Sequence, residues 1–218
     1  MRQTHFDRLS LARLLAAATV AFGFVFYVVG DLVKPGYSSM SQYISELNAT
    51  GTAWALQLGY FGFVPLGVLL AVFLIVATPF AAVHGTSKAG WSLMWSLPVA
   101  FIGVALAPCD PGCPVKGSPM QMAHDLLGVT TYFASALAIF LLSFAPPLRN
   151  RLVARNFLRF TGVAFLVLFV VMLSPAVADI RGLLQRVADA LLAGALLVIA
   201  WRVVLAENIH TITTEPLA

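Results

Sequence analysis

The chain has 218 residues, 60% of them hydrophobic and only 10% charged, with a mean hydropathy of +0.91. A soluble domain is about half apolar and about a quarter charged, so this composition excludes a water-soluble fold. The net charge of +4 and pI near 9.4 do not point to nucleic acid, because the basic residues fall where a membrane protein needs topogenic charge.

Apolar runs of about 20 residues, enough to cross a hydrocarbon core of ~30 Å, recur along the chain. They predict one all-α domain over 1–218, a bundle of six transmembrane helices at about 11–33, 54–78, 89–107, 120–144, 157–175 and 183–206. The first run is too long for a signal peptide and is followed by Lys34-Pro35-Gly36, which stops a helix, and not by a cleavage site of small residues. Placing both termini in the cytoplasm puts Arg2, Arg8, Arg13, Lys88, Arg149, Arg151, Arg155, Arg159 and Arg202 inside. Lys34, Lys116, Arg181 and Arg186 are then outside, so the split is nine against four of thirteen. The expected location is the bacterial inner (plasma) membrane. Asp31, Glu46, Asp110, Asp125, Asp179 and Asp189 gather at the outer face, leaving Asp7, Glu207 and Glu215 inside.

After the first run comes KPGYSSMSQYISELNATGTA. Tyr37, Met40, Tyr43, Ile44 and Leu47 recur at three- and four-residue steps, which predicts a short amphipathic helix. Ser38 or Ser39 would cap its start and Asn48 to Gly51 would end it. Lying flat or folded over the bundle mouth, it would close the outer end. The second run carries Gly59, Gly62 and Gly67, which permit close helix approach, and Pro65, which predicts a kink.

The next outer loop holds the two cysteines, Cys109 and Cys113, around the turn Pro111-Gly112. In an oxidising compartment a disulfide is the expectation. A metal thiolate pair lacks the four ligands zinc usually takes, and a redox pair would depart from C-x-x-C spacing. Ser118-Pro119 starts the fourth helix, which brings Gln121, His124, Asp125 and Gly128 onto one face. The sixth begins with Gln185, Arg186 and Asp189, again on one face. Trp54, Trp91, Trp95 and Trp201 read as interface anchors or packing.

Three stretches carry a resemblance: Pro35-Gly36-Tyr37-Ser38 through Ile44-Ser45-Glu46-Leu47, Asp110 with His124, and Gly182-Leu183-Leu184-Gln185-Arg186. Together they resemble a large bacterial and archaeal family of six-helix membrane proteins, the domain of unknown function 998. The resemblance covers nearly the whole chain and implies fold and topology, with almost no biochemistry. Asn48 stands where that family usually has glycine, and asparagine tolerates the left-handed conformation a helix end needs.

Polar groups from separate loops therefore converge on the outer mouth, and several chemistries suit them. Tyr37, Ser38, Glu46, Gln121, Asp125 and Arg186 would line a pocket that recognises a lipid or other amphiphile, or part of a transport path, with guanidinium forks suited to phosphate oxygens. Ser45 as nucleophile, His124 as base and Asp110 as orienting acid would form a lipid hydrolase or acyltransferase, although no G-x-S-x-G elbow is present. A metal on His124, Glu46 and Asp110 is conceivable in donor type, but three-histidine zinc is excluded. The plainest expectation is that these groups pair internally, Glu46 with Arg186 and Asp189 with Arg181 or Lys116, and only staple loops over helix ends. No cofactor and no metal is expected. The expected partners are membrane lipids, with no nucleic acid and no partner protein that the sequence identifies.

Overall fold

A computed structural model describes residues 2–205, with side chains from Arg8 onward. Asp7, Glu207, Glu215, His5, His210 and the tail beyond 205 lie outside that description. Six helices are long and apolar enough to cross a membrane. They are α1 (Arg2–Val33), α2 (Ala55–Phe80), α3 (Thr86–Leu106), α4 (Pro119–Leu142), α5 (Leu152–Met172) and α6 (Arg181–Arg202). No strand occurs among the described residues beyond one isolated bridge, Ala81 with Val204.

Each helix packs on its neighbours in the chain, and α1 meets α6 to close the ring. The α1–α6 seam is the most sparsely packed of the six. At one end lie Arg149, Arg151, Arg155, Arg159 and Arg202, the arginine-rich end. At the other the long loop 34–54 covers the helix ends, the capped end.

Two helices bend where their sequences demand it. In α2 the turn Gly59–Phe63 is a π-helical bulge just ahead of Pro65, whose missing N–H breaks the regular ladder. In α3 the helix is interrupted between Leu93 and Ser96, one turn before Pro98, whose ring displaces the carbonyl four residues back. Gly62 gives the expected close approach, since a Cβ there would fall on the Phe26 ring.

The main core lies toward the arginine-rich end, where Phe73, Leu74, Met94, Ile139, Leu142, Leu158 and Ile199 are wholly buried. Trp91 joins it, its Nε1–H donating to Thr78 Oγ1 at 3.1 Å, while Trp54, Trp95 and Trp201 are exposed. A smaller cluster of Phe26, Ile44, Leu47, Leu58 and Phe63 sits under the capping loop.

Candidate functional site

The loop 34–54 departs from its expected form. Only Ile44–Asn48 is helical, as a 3-10 turn, and it dips into the bundle with Ile44, Glu46, Leu47 and Asn48 buried. Side chains take the donors that a longer helix would need. Gln42 Oε1 accepts from Ser38 N at 2.7 Å and Glu46 Oε1 accepts from Tyr43 N at 2.9 Å. Leu47 packs against Gly30 of α1, where a Cβ would come within 2.9 Å of it. Asn48 Nδ2 donates to the Val104 carbonyl at 2.9 Å, and Tyr43 Oη donates to the Met172 carbonyl at 2.8 Å. Lys34 turns its ammonium inward onto the Leu47 carbonyl and Thr52 Oγ1. Burial pushes that ammonium below the usual lysine range, against the pull of Glu46.

Two arginines of α6 clamp this lid. Arg186 reaches Asp31 of α1 at 2.6 Å and the Tyr37 hydroxyl at 3.0 Å through Nη2, and the carbonyls of Ser39, Gly182 and Gln42 through Nη1. Its donors are largely consumed inside the protein. Arg181 holds the buried Glu46 at 3.4 Å, donates to the Ser41 and Gly112 carbonyls, and stacks over the Tyr43 ring at 4.4 Å. The ion pairs thus differ from those expected. Glu46 pairs with Arg181, Arg186 pairs with Asp31, and Asp189 accepts from Tyr27 Oη at 2.8 Å. Burial raises the Tyr37 phenol to about 12, against the opposing hydrogen bond from Arg186, and burial also raises Tyr43.

The cysteine loop docks beside the lid. Cys109 and Cys113 form a disulfide. Thr50 N donates to the Cys109 carbonyl at 2.8 Å, and the Ser45 hydroxyl lies 3.6 Å from Cys113 Sγ, onto which it can only donate. Asp110 serves the start of α4: its carboxylate accepts from Ser118 N at 2.7 Å and Ser118 Oγ at 2.8 Å, while Ser118 caps Gln121 N. Gln121 Oε1 accepts from Asp110 N, and its amide donates to Asp125. His124 donates Nδ1–H to the Ala107 carbonyl at 2.8 Å, leaving Nε2 as the acceptor.

The residues considered for catalysis are therefore near one another but individually engaged. No hydrogen bond among the described residues links Ser45 to His124, or His124 to Asp110. Glu46, Asp110 and His124 do not gather as a ligand set. The donor atoms that do lie within 4.8 Å of one another are those of Cys109, Cys113 and His124, with both sulfurs tied up in the disulfide.

A cleft of about 630 Å³ opens beneath the lid along the α1–α6 seam, backed by Leu66 and Leu70 of α2 and Leu97 and Phe101 of α3. Its walls are apolar for most of its length. At the capped end it meets Tyr27, Asp31, Arg186 and Asp189. Phe24 and Val28, exposed on the side of α1, form its rim.

The model of the family described as Protein of unknown function (DUF998) matches residues 15–202, which takes in α2 to α6 and α1 from residue 15 onward. The chain is a DUF998 protein. No curated protein and no solved structure matches it. In this DUF998 protein the motif residues Tyr37, Glu46 and Arg186 belong to the lid and its clamps, while Asp110 secures the start of α4. Tyr27, Asp31 and Asp189 at the head of the cleft were not singled out as a site from the sequence. A signal was present: Thr19, Gly23, Tyr27 and Asp31 recur at four-residue steps, a stripe of small and polar residues down an otherwise apolar helix.

Proposed function

We propose that this protein is a binding protein for a membrane amphiphile, held in the α1–α6 cleft with its head group at the capped end and its hydrocarbon along the seam. The observation that carries the reading is the form of the cleft: about 630 Å³, apolar along its walls, with Tyr27, Asp31, Arg186 and Asp189 at one end only. Ligand sites are typically concave and largely apolar, with a few polar groups that fix orientation. Ionisable residues within a membrane span are costly and mark sites of function by default. The capped end faces away from the cytoplasm in this reading, which the bias of nine basic residues against four supports. A hydrolase on Ser45 and His124 draws no support from the geometry, because each side chain is engaged elsewhere.

Photocrosslinking tests the proposal. Full-length protein in nanodiscs that contain a phospholipid with a photoactivatable acyl chain should label Phe24, Val28 or Ala190 more heavily than lipid-facing sites on α4. Ala193→Trp, which fills the cleft, should suppress that labelling, whereas Leu126→Trp on the exposed side of α4 should not. Uniform labelling around the bundle, or labelling indifferent to Ala193→Trp, refutes the reading.

A further inference from the structure

A second groove lies at the opposite end. About 990 Å³ of space separates the start of α5 from the last turns of α6, and Arg151 and Arg202 stand at its mouth with Asn150 and Trp201. Below them the walls are Phe157 and Val198, and the groove continues to Gly194. From Arg202 to Gly194 is eight residues of helix, which is about 12 Å of apolar depth.

Among the described residues this mouth carries basic charge with no acid beside it. Neither the Arg151 nor the Arg202 side chain has a hydrogen-bond or ion-pair partner among the described residues. Every described carboxylate, from Asp31 to Asp189, belongs to the other end of the bundle. α5 also begins without relief: Arg151 occupies its N-cap position, no side chain caps it, and no acid lies in its first turn. Its free amides and the positive end of its dipole add to the two guanidinium groups.

We infer that this groove binds an anionic phospholipid of the adjoining leaflet. The phosphate would sit between Arg151 and Arg202 and an acyl chain would lie against Phe157 and Val198. A guanidinium fork matches phosphate oxygens, and basic pockets between transmembrane helices suit such head groups. The apolar depth beneath the charge favours a phosphate that carries hydrocarbon over a free anion. Exposed Trp201 stands at this mouth beside Arg202, and indole rings favour a membrane interface. The groove shares Gly194 and Leu197 with the α1–α6 cleft at its inner end, but its charged mouth lies at the opposite end of the bundle, and the inference stands whether or not that cleft binds anything.

The test uses full-length protein in neutral detergent, with native mass spectrometry and thermal unfolding as readouts. Phosphatidylglycerol should bind as a retained adduct and raise the unfolding midpoint, whereas phosphatidylcholine and inorganic phosphate should do neither. Arg151→Gln with Arg202→Gln should weaken phosphatidylglycerol binding about tenfold or more, the loss of at least one charge-assisted contact. Arg8→Gln with Arg149→Gln removes equal charge outside the groove and should leave binding within about twofold. Equal loss in both double variants would reduce the effect to diffuse charge and overturn the site. So would an equal response to inorganic phosphate, or binding that appears only after residues 208–218 are deleted, which would make the tail the occupant. Arg151→Lys with Arg202→Lys keeps the charge but not the fork and should fall between wild type and the glutamine pair.

Discussion

Gly182 is the position where one added methyl should undo the lid. A Cβ there would fall on the Gln42 carbonyl oxygen and lie 2.6 Å from the Ser39 carbonyl oxygen. Both obstacles are backbone, so the whole 39–42 turn must move away from α6 by about an ångström, the shortfall from ordinary van der Waals contact. That displacement strains Leu183 N to the Met40 carbonyl at 3.0 Å, Arg186 to the Ser39 carbonyl at 2.9 Å and Ile44 N to Gln185 Oε1 at 2.6 Å. Overpacking alone costs about 1–3 kcal/mol. Each neutral bond lost adds about 1 kcal/mol and the charged one about 1.5–3 kcal/mol. Replacing glycine in a helix returns about 1 kcal/mol. With one or two bonds lost, the net destabilisation of Gly182→Ala is about 1–6 kcal/mol. Gly128→Ala is the control, since nothing lies within 4 Å of its added Cβ. Titration from mixed micelles into SDS measures the unfolding free energy, and limited proteolysis of residues 34–54 reports the lid itself. The reasoning is refuted if Gly182→Ala is as stable and as protease-resistant as wild type, or if Gly128→Ala does equal harm.

Two further outcomes follow from the capped end. Replacing both cysteines by serine should cost about 2 kcal/mol, the chain-entropy value for so short a loop. Thiol-specific reagents should label the denatured wild type only after reduction, since Cys109 and Cys113 are paired. The Tyr37 phenol, raised by burial to about 12 against an ordinary 10, keeps its proton in the folded state where the unfolded chain has lost it. Its contribution to stability is full below pH 10 and is lost as pH rises from 10 through 12. Tyr37→Phe should remove a component near pH 12 from the phenolate absorbance titration and flatten that stability loss; an unchanged titration curve counts against the burial.

Much of the architecture was legible because the bilayer imposes a length rule. Six apolar runs read directly as α1 to α6, with ends displaced by five residues or fewer except the start of α1, which lies nine residues earlier than expected, at Arg2. Ser118-Pro119 announced the start of α4 through an ordinary cap, and Cys109 and Cys113 pair as their spacing suggested. The lid was legible as amphipathic but not as to form, because Gln42 and Glu46 divert backbone donors that periodicity assigns to a helix. The ion pairs were not legible at all. Glu46 and Arg181, or Asp31 and Arg186, are more than a hundred residues apart, and which arginine meets which acid depends on the rotation of α6 against α1. The head of the cleft was overlooked because Tyr27 and Asp31 look like ordinary residues at a helix end until α6 supplies their partners.

The clamp made by Arg186 joins α1, α6 and the lid through one guanidinium at the capped end of the cleft. On the proposed reading the amphiphile arrives sideways, between the flanks of two helices. Occupancy then follows the mole fraction of a solute dissolved in the leaflet, not its molarity in water, and exchange slows or quickens with the fluidity of the surrounding lipid.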